Sequence, residues 1–190
     1  MKVGQKKGVE RWIPRWVQRF KEGHQGIYCI FLGTQDIEEI ERCLVANGFE
    51  VKAERSSFVA GDGKEYQLPW RIIHLPAIPG SLTEISFIYY DSSPKELKEI
   101  FVPNSDQNSL VGIHGVDLFI PNVTNQIDFI RKIFPNVRLE DSSLIATFDN
   151  GFIRFRNDQQ IQSRIHVKSD DVQKIGQQFS IANIVISVDS

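Results

Sequence analysis

The sequence is short of sulfur and of any excess charge. It holds two cysteines, Cys29 and Cys43, and a single methionine in 190 residues. Two cysteines cannot build a disulfide framework or a four-cysteine zinc site. Twenty-two basic side chains face 24 acidic ones, for a net charge of −2. A protein that relies on phosphate neutralisation carries an excess of Lys and Arg, so no nucleic-acid partner is expected. No apolar run approaches the roughly 20 residues of a membrane span. The basic start, MKVGQKKGVERW, has no apolar stretch behind it and does not read as a secretory signal. The expectation is a cytoplasmic protein with no membrane partner. Hydrophobic residues make up 41 % of the chain, enough for a packed core.

What the sequence does contain is a repeated pattern. A basic segment, Val9 to Phe20, has apolar residues at helical spacing, and Pro14 sets the helix start near Ile13. IYCIFLGTQ then reads as a strand. Asp36 with Glu39 three positions on forms a capping pattern, Ile37, Ile40, Leu44 and Val45 give an apolar stripe, and Gly48 stops the helix. Three strands follow: VKAERSSFVA, EYQLPWRIIHLP and EISFIYYD, with Asp62-Gly63 as a turn. The plan returns with IHGVDLFIP as a strand and a helix opened by Asn122 to Thr124 and closed by Pro135. NVRLE, LIATFD and FIRFR follow as strands, with Asn150-Gly151 as the hairpin turn. RIHVKS starts a third strand, Asp170 to Phe179 reads as a helix, and IVISVD as a final strand. Three strand-(Asp/Asn)-helix openings make an internal repeat. The domain boundaries expected are an N-terminal helical segment (1–25), a first βαβββ module (26–92), a connector (93–111), a second module (112–157) and a strand-helix-strand extension (158–190).

The order of these stretches resembles the glyoxalase-like domain proteins of the vicinal oxygen chelate superfamily (glyoxalase, bleomycin resistance, dioxygenase). GIYCIFLGTQDIEEIERCLVANGFEV is similar to that family's opening strand and helix, with Asp36, Gly48 and Phe49 at its marked positions. DGKEYQLPWRIIHLP resembles its Asp-Gly turn and Trp-Arg strand, here Asp62, Gly63, Trp70 and Arg71. ISFIYYD resembles its aromatic fourth strand, and DQNSLVGIHGVDLFIPN its connector. The likeness runs from Gly26 to Phe155. The connector departs from the family's His-Pro-Asn-Gly: of Asp106, Gln107, Asn108 and Ser109 only Asn108 matches. The resemblance implies an α+β fold of paired βαβββ modules, each a curved mixed sheet with its helix on the convex side, forming a cup within one chain or across a homodimer.

In metal-dependent relatives each module offers one ligand on its first strand and a carboxylate on its last. Carried over by the distance from the helix-capping residue, those positions are Cys29 and Gly115, then Tyr89 and Arg154. None is a His or a carboxylate, and Arg154 would repel a cation. No metal or other cofactor is expected. His114 stands one residue from the slot, and a β-bulge could turn it in. If a divalent metal were held, the candidates are His74, His114 and His166 with Glu84 or Glu140, giving a metal-dependent lyase, isomerase or dioxygenase. The reading preferred is a binding protein whose concave sheet receives a small-molecule ligand at Trp70, His74, Tyr89 and Arg154. A module that sequesters its ligand, as in resistance, shares that fold. No G-x-S-x-G or glycine-rich phosphate loop is present. Cys29 reads as a packing residue, and no catalytic residue is assigned.

Overall fold

The computed structural model describes residues 13–23, 26–81, 83–92, 110–157, 163–171, 173–181 and 184–189. Most of the expected connector, 93–111, lies outside them. The chain separates into two compact units: residues 1–76 with 84–97, and residues 77–83 with 98–190.

The first unit opens with helix α1 (Ile13–Lys21), which carries Pro14 in its first turn, where a missing N–H costs nothing. Val17 and Phe20 on this helix are exposed, so these two members of the expected apolar stripe are not core. Strand β1 (Cys29–Gly33) leads into helix α2 (Ile37–Ala46). The Asp36 carboxylate accepts the Glu39 N–H at 2.8 Å, satisfying one of the four orphan donors of the helix start. Glu39 does not reach back to close a capping box; its carboxylate accepts from the Cys43 thiol. At the other end Gly48 takes φ +86°, and the Phe49 N–H returns to the Leu44 carbonyl. Strands β2 (Glu54–Val59), β3 (Glu65–His74) and β4 (Glu84–Tyr90) complete a sheet of order β1-β4-β3-β2. Strand β1 runs parallel to β4, and the other pairs are antiparallel. Helix α2 packs on β3 and β4, burying Ile37 and Leu44 against Ile73, Ile85 and Phe87. Each such side chain contributes about 1.5–3 kcal/mol through its removal from water.

The second unit repeats the topology. Strand β5 (Leu110–Phe119) is followed by a 3-10 turn (Val123–Gln126) and helix α3 (Ile127–Ile133), then β6 (Arg138–Glu140), β7 (Ser143–Phe148) and β8 (Gly151–Arg156). The order β5-β8-β7-β6, with β5 parallel to β8, reproduces that of the first sheet. Asp141 and Ser142 both take positive φ and join β6 to β7 in a two-residue turn whose twist suits the hairpin. Between β7 and β8 the turn is Asp149-Asn150, one residue earlier than the expected Asn150-Gly151, because Phe148 pairs with Gly151. Gly151 instead permits a close approach of two strands, since a Cβ there would lie 2.1 Å from the His114 carbonyl oxygen.

Strand β9 (Ser163–Ser169) pairs antiparallel with β5 and carries the sheet onward. The helix expected over Asp170–Phe179 does not form. Residues 173–176 turn, β10 (Gln178–Ile181) begins, and β11 (Ile184–Asp189) returns parallel to β9. The order β9-β11-β10 matches three strands of the module plan. A helix here would have only Val172, Ile175 and Phe179 as apolar residues, too small a face to stabilise it by burial, whereas pairing of β10 to β11 joins the segment to the sheet. The sheet of seven strands thus reads β10-β11-β9-β5-β8-β7-β6. Among the described residues no helix is long and apolar enough to cross a membrane.

Candidate functional site

Alternation sorts the seven-stranded sheet into two faces of different chemistry. Val116 and Leu118 of β5, Leu144 and Ala146 of β7, and Ile153 and Phe155 of β8 are buried. They pack with Ile130, Ile133 and Phe134, whose ring lies 6.2 Å from that of Phe155. The opposite face carries Asp117 of β5, Phe152, Arg154 and Arg156 of β8, Arg164, His166 and Lys168 of β9, and Ser187 and Asp189 of β11. Strand register sets these side by side: Asp117 lies between Arg154 and Arg164, and His166 between Gly115 and Ser187.

Asp117 is the centre of that face and is only 1 % exposed. Its Oδ1 lies 3.3 Å from an Arg154 terminal nitrogen and 3.4 Å from His166 Nε2, and its Oδ2 lies 3.4 Å from an Arg156 nitrogen. Burial pushes the Asp117 carboxyl upward, but His166, Arg154 and Arg156 outweigh it and hold the group below the usual Asp range. His166 Nδ1 faces Asp189 Oδ2 at 2.8 Å. With a carboxylate at each ring nitrogen, led by Asp117, the His166 pKa is raised against the opposing pull of burial.

His114 reaches this face through a bulge. The β5–β9 register slips by one residue between Ile113 and Gly115, so His114 is the extra residue. Its ring meets Phe152 edge-on at 5.3 Å, and Phe152 meets His166 at 5.0 Å. The Arg154 guanidinium stands 5.0 Å from the centre of the same ring. Gly115 makes room for Phe152, since a Cβ would come within 2.4 Å of it. Beside Phe152 a hollow of ≈ 650 Å³ is lined by His114, Thr147, Phe148, Lys168 and the Asp149–Gly151 turn.

Of the residues expected to form one ligand surface, the three in the first unit do not share a face. Trp70 pairs with Tyr90 and His74 with Ser86, so Trp70 and His74 share the face of β3 away from α2. Tyr89 pairs with Arg71 instead and lies on the helix-bearing face. There Arg71 is ion-paired with Glu38 of α2 and stands 4.9 Å from the Tyr89 ring. Both faces of ISFIYY are apolar or aromatic, which is why alternation alone did not orient it. Arg154 belongs to the second unit and its Asp117 cluster.

Within each unit the metal candidates do not converge either. His74 is in the first unit, with Nδ1 2.8 Å from Ser86 Oγ, which also meets Cys29 Sγ at 3.6 Å. Cys29 is therefore half-buried and hydrogen-bonded as well as packed. Glu84 is buried with Arg19 at 3.3 Å. Glu140 is exposed, at 4.0 Å from Arg138. His166 has both nitrogens against carboxylates, and His114 packs on Phe152, whose ring covers the Gly115 slot. Arg154 stands over that ring. A divalent cation needs several N or O donors around one point. Among the described residues no group of three His, Cys, Asp or Glu is so placed. These residues do not fit a metal.

Arg164, Lys168, Arg156 and Phe152 were missed by sequence reasoning. Their signal was present: RIHVKS and FIRFR place Arg164-His166-Lys168 and Phe152-Arg154-Arg156 at a period of two, hence on one face each.

No family model matches the chain, and no curated protein matches it. A solved structure does: the crystal structure of a hypothetical protein from Staphylococcus aureus superimposes with a TM-score of 0.69 at 16 % identity, over 96 % of this chain and 73 % of that one. At that identity the likeness shows the fold alone. The fold defined is α+β, with few helices and two mixed sheets.

Proposed function

We propose that the protein is a glyoxalase-like domain protein of the vicinal oxygen chelate type that binds a small planar acid without a metal. The seat is the polar face of the seven-stranded sheet. The repeated order of β1-β4-β3-β2 and β5-β8-β7-β6 supports the family reading. The observation that carries the binding reading is Phe152: a half-buried aromatic held between two imidazoles and a guanidinium, beside a hollow of ≈ 650 Å³ with Lys168 on its wall. An aromatic ring beside a hollow, flanked by the Arg154 guanidinium and Lys168, suits a flat ligand body with a negative group. Titration calorimetry with benzoate tests it. Wild type should bind, and Phe152→Ala should weaken binding about tenfold, as loss of one good aromatic contact implies. Equal binding by the two proteins, or no binding of any aromatic acid, would refute this seat.

A further inference from the structure

The polar face carries more cation than its carboxylates absorb. Asp117 is shared by Arg154, Arg156 and His166, and Asp189 is held by His166. Arg164 and Lys168, on the same strand, have side chains that make no hydrogen bond or ion pair among the described residues. Arg164 Nε is buried even so. Leaving a buried donor without an acceptor costs about 1–3 kcal/mol, so each such donor calls for a partner, a water or a ligand atom. Ser187 repeats the signal. It is 5 % exposed, its hydroxyl is buried without a hydrogen-bond partner, and it sits directly across from His166 on β11.

Arg164 and Lys168 flank His166 along β9, and Ser187 faces it from β11. Arg164 and Lys168 stand two residues before and two residues after His166, each roughly 7 Å from it along the strand, and both side chains can lean over it. Ser187 lies one strand away, about 5 Å. Two free positive charges and a hydroxyl from a third direction match a group with charge near −2 and three terminal oxygens. A carboxylate has one charge and two oxygens, and would leave one donor unused. The Phe152 ring, 5.0 Å from His166, offers the ligand body a platform on the side of the hollow.

We propose that the β9 face around His166 is a seat for a phosphate monoester, held by Arg164, Lys168 and Ser187, with the ester's body in the hollow beside Phe152. This rests on the reading that the polar face is the binding surface, and adds the class of ligand. Two carboxylates oppose on this face: Asp117, across from Arg164 and ion-paired with Arg154, Arg156 and His166, and Asp189, beside Lys168 and bonded to His166. The test is titration of the full chain with phenyl phosphate and with benzoate. Phenyl phosphate should bind at least tenfold more tightly. Arg164→Gln and Lys168→Gln should each cost it about tenfold, Ser187→Ala about threefold, and benzoate should change by less than either. Lys168 is exposed, so its variant folds even if Arg164→Gln does not. Phenyl phosphate no tighter than benzoate, or unmoved by Lys168→Gln and Ser187→Ala, would overturn the phosphate seat while benzoate binding through Phe152 stands. Failure of both ligands to bind would overturn both.

Discussion

Replacing Asp117 by Asn tests whether the buried carboxylate organises the polar face. The variant keeps the size and removes the charge that Arg154, Arg156 and His166 share. Breaking a buried ion pair by removing one partner costs about 3–5 kcal/mol. Arg154 and Arg156 are about a third exposed and their contacts are 3.3 and 3.4 Å, so solvent can take over part of their stabilisation and the low end, about 3 kcal/mol, is expected. For a chain of this size that corresponds to a fall of about 6–12 °C in Tm. The loss should depend on pH. His166 has a raised pKa when folded, so its contribution is complete below the unfolded value of about 6.5 and disappears as pH rises through the folded one. Asp117 has a lowered pKa, so its contribution is present above about 3.9 and is lost as pH falls through the folded value. The two overlap between those limits. Urea denaturation should therefore show a larger Asp117→Asn penalty at pH 6 than at pH 8. Proton NMR should show the His166 titration moving down in the variant, because its leading partner is gone. A penalty below about 1 kcal/mol, or one equal at both pH values, would refute this account.

Two further substitutions test the local construction. Gly151→Ala would press a Cβ into the His114 carbonyl, which is backbone and cannot swing aside; urea denaturation should show a stability loss of about 2–3 kcal/mol, and an unchanged midpoint would mean that β5 and β8 are not this close. Asp36→Ala should cost about 1 kcal/mol by thermal melting, through the lost bond to the Glu39 N–H, and a neutral result would remove the cap from the account of α2.

Much of the architecture was legible in the chain. Asp36 and Gly48 marked both ends of α2 because caps act through immediate neighbours. The return of strand, helix and three strands marked the second sheet. The segment after Asp170 misled because Val172, Ile175 and Phe179 imitate helical spacing, while the strand pairing of Gln178–Ile181 with β11 is set by residues distant in space. The site was half legible. Arg154 and His166 were singled out, and His114 was allowed a bulge, which β5 contains. Tyr89 was grouped with Trp70, although a single residue of register separates the two faces.

The sequence alone determined most of the elements up to Arg156, their repetition and the near balance of charge. Each of these depends on composition or on contacts a few residues apart. Tertiary structure decided which charges stand together. Asp117, Arg154 and His166 are separated by 37 and 12 residues, and only the β9-β5-β8 order brings them to one carboxylate. That order also leaves Arg164, Lys168 and Ser187 uncompensated on a face whose overall charge, read from composition, gave no sign of it.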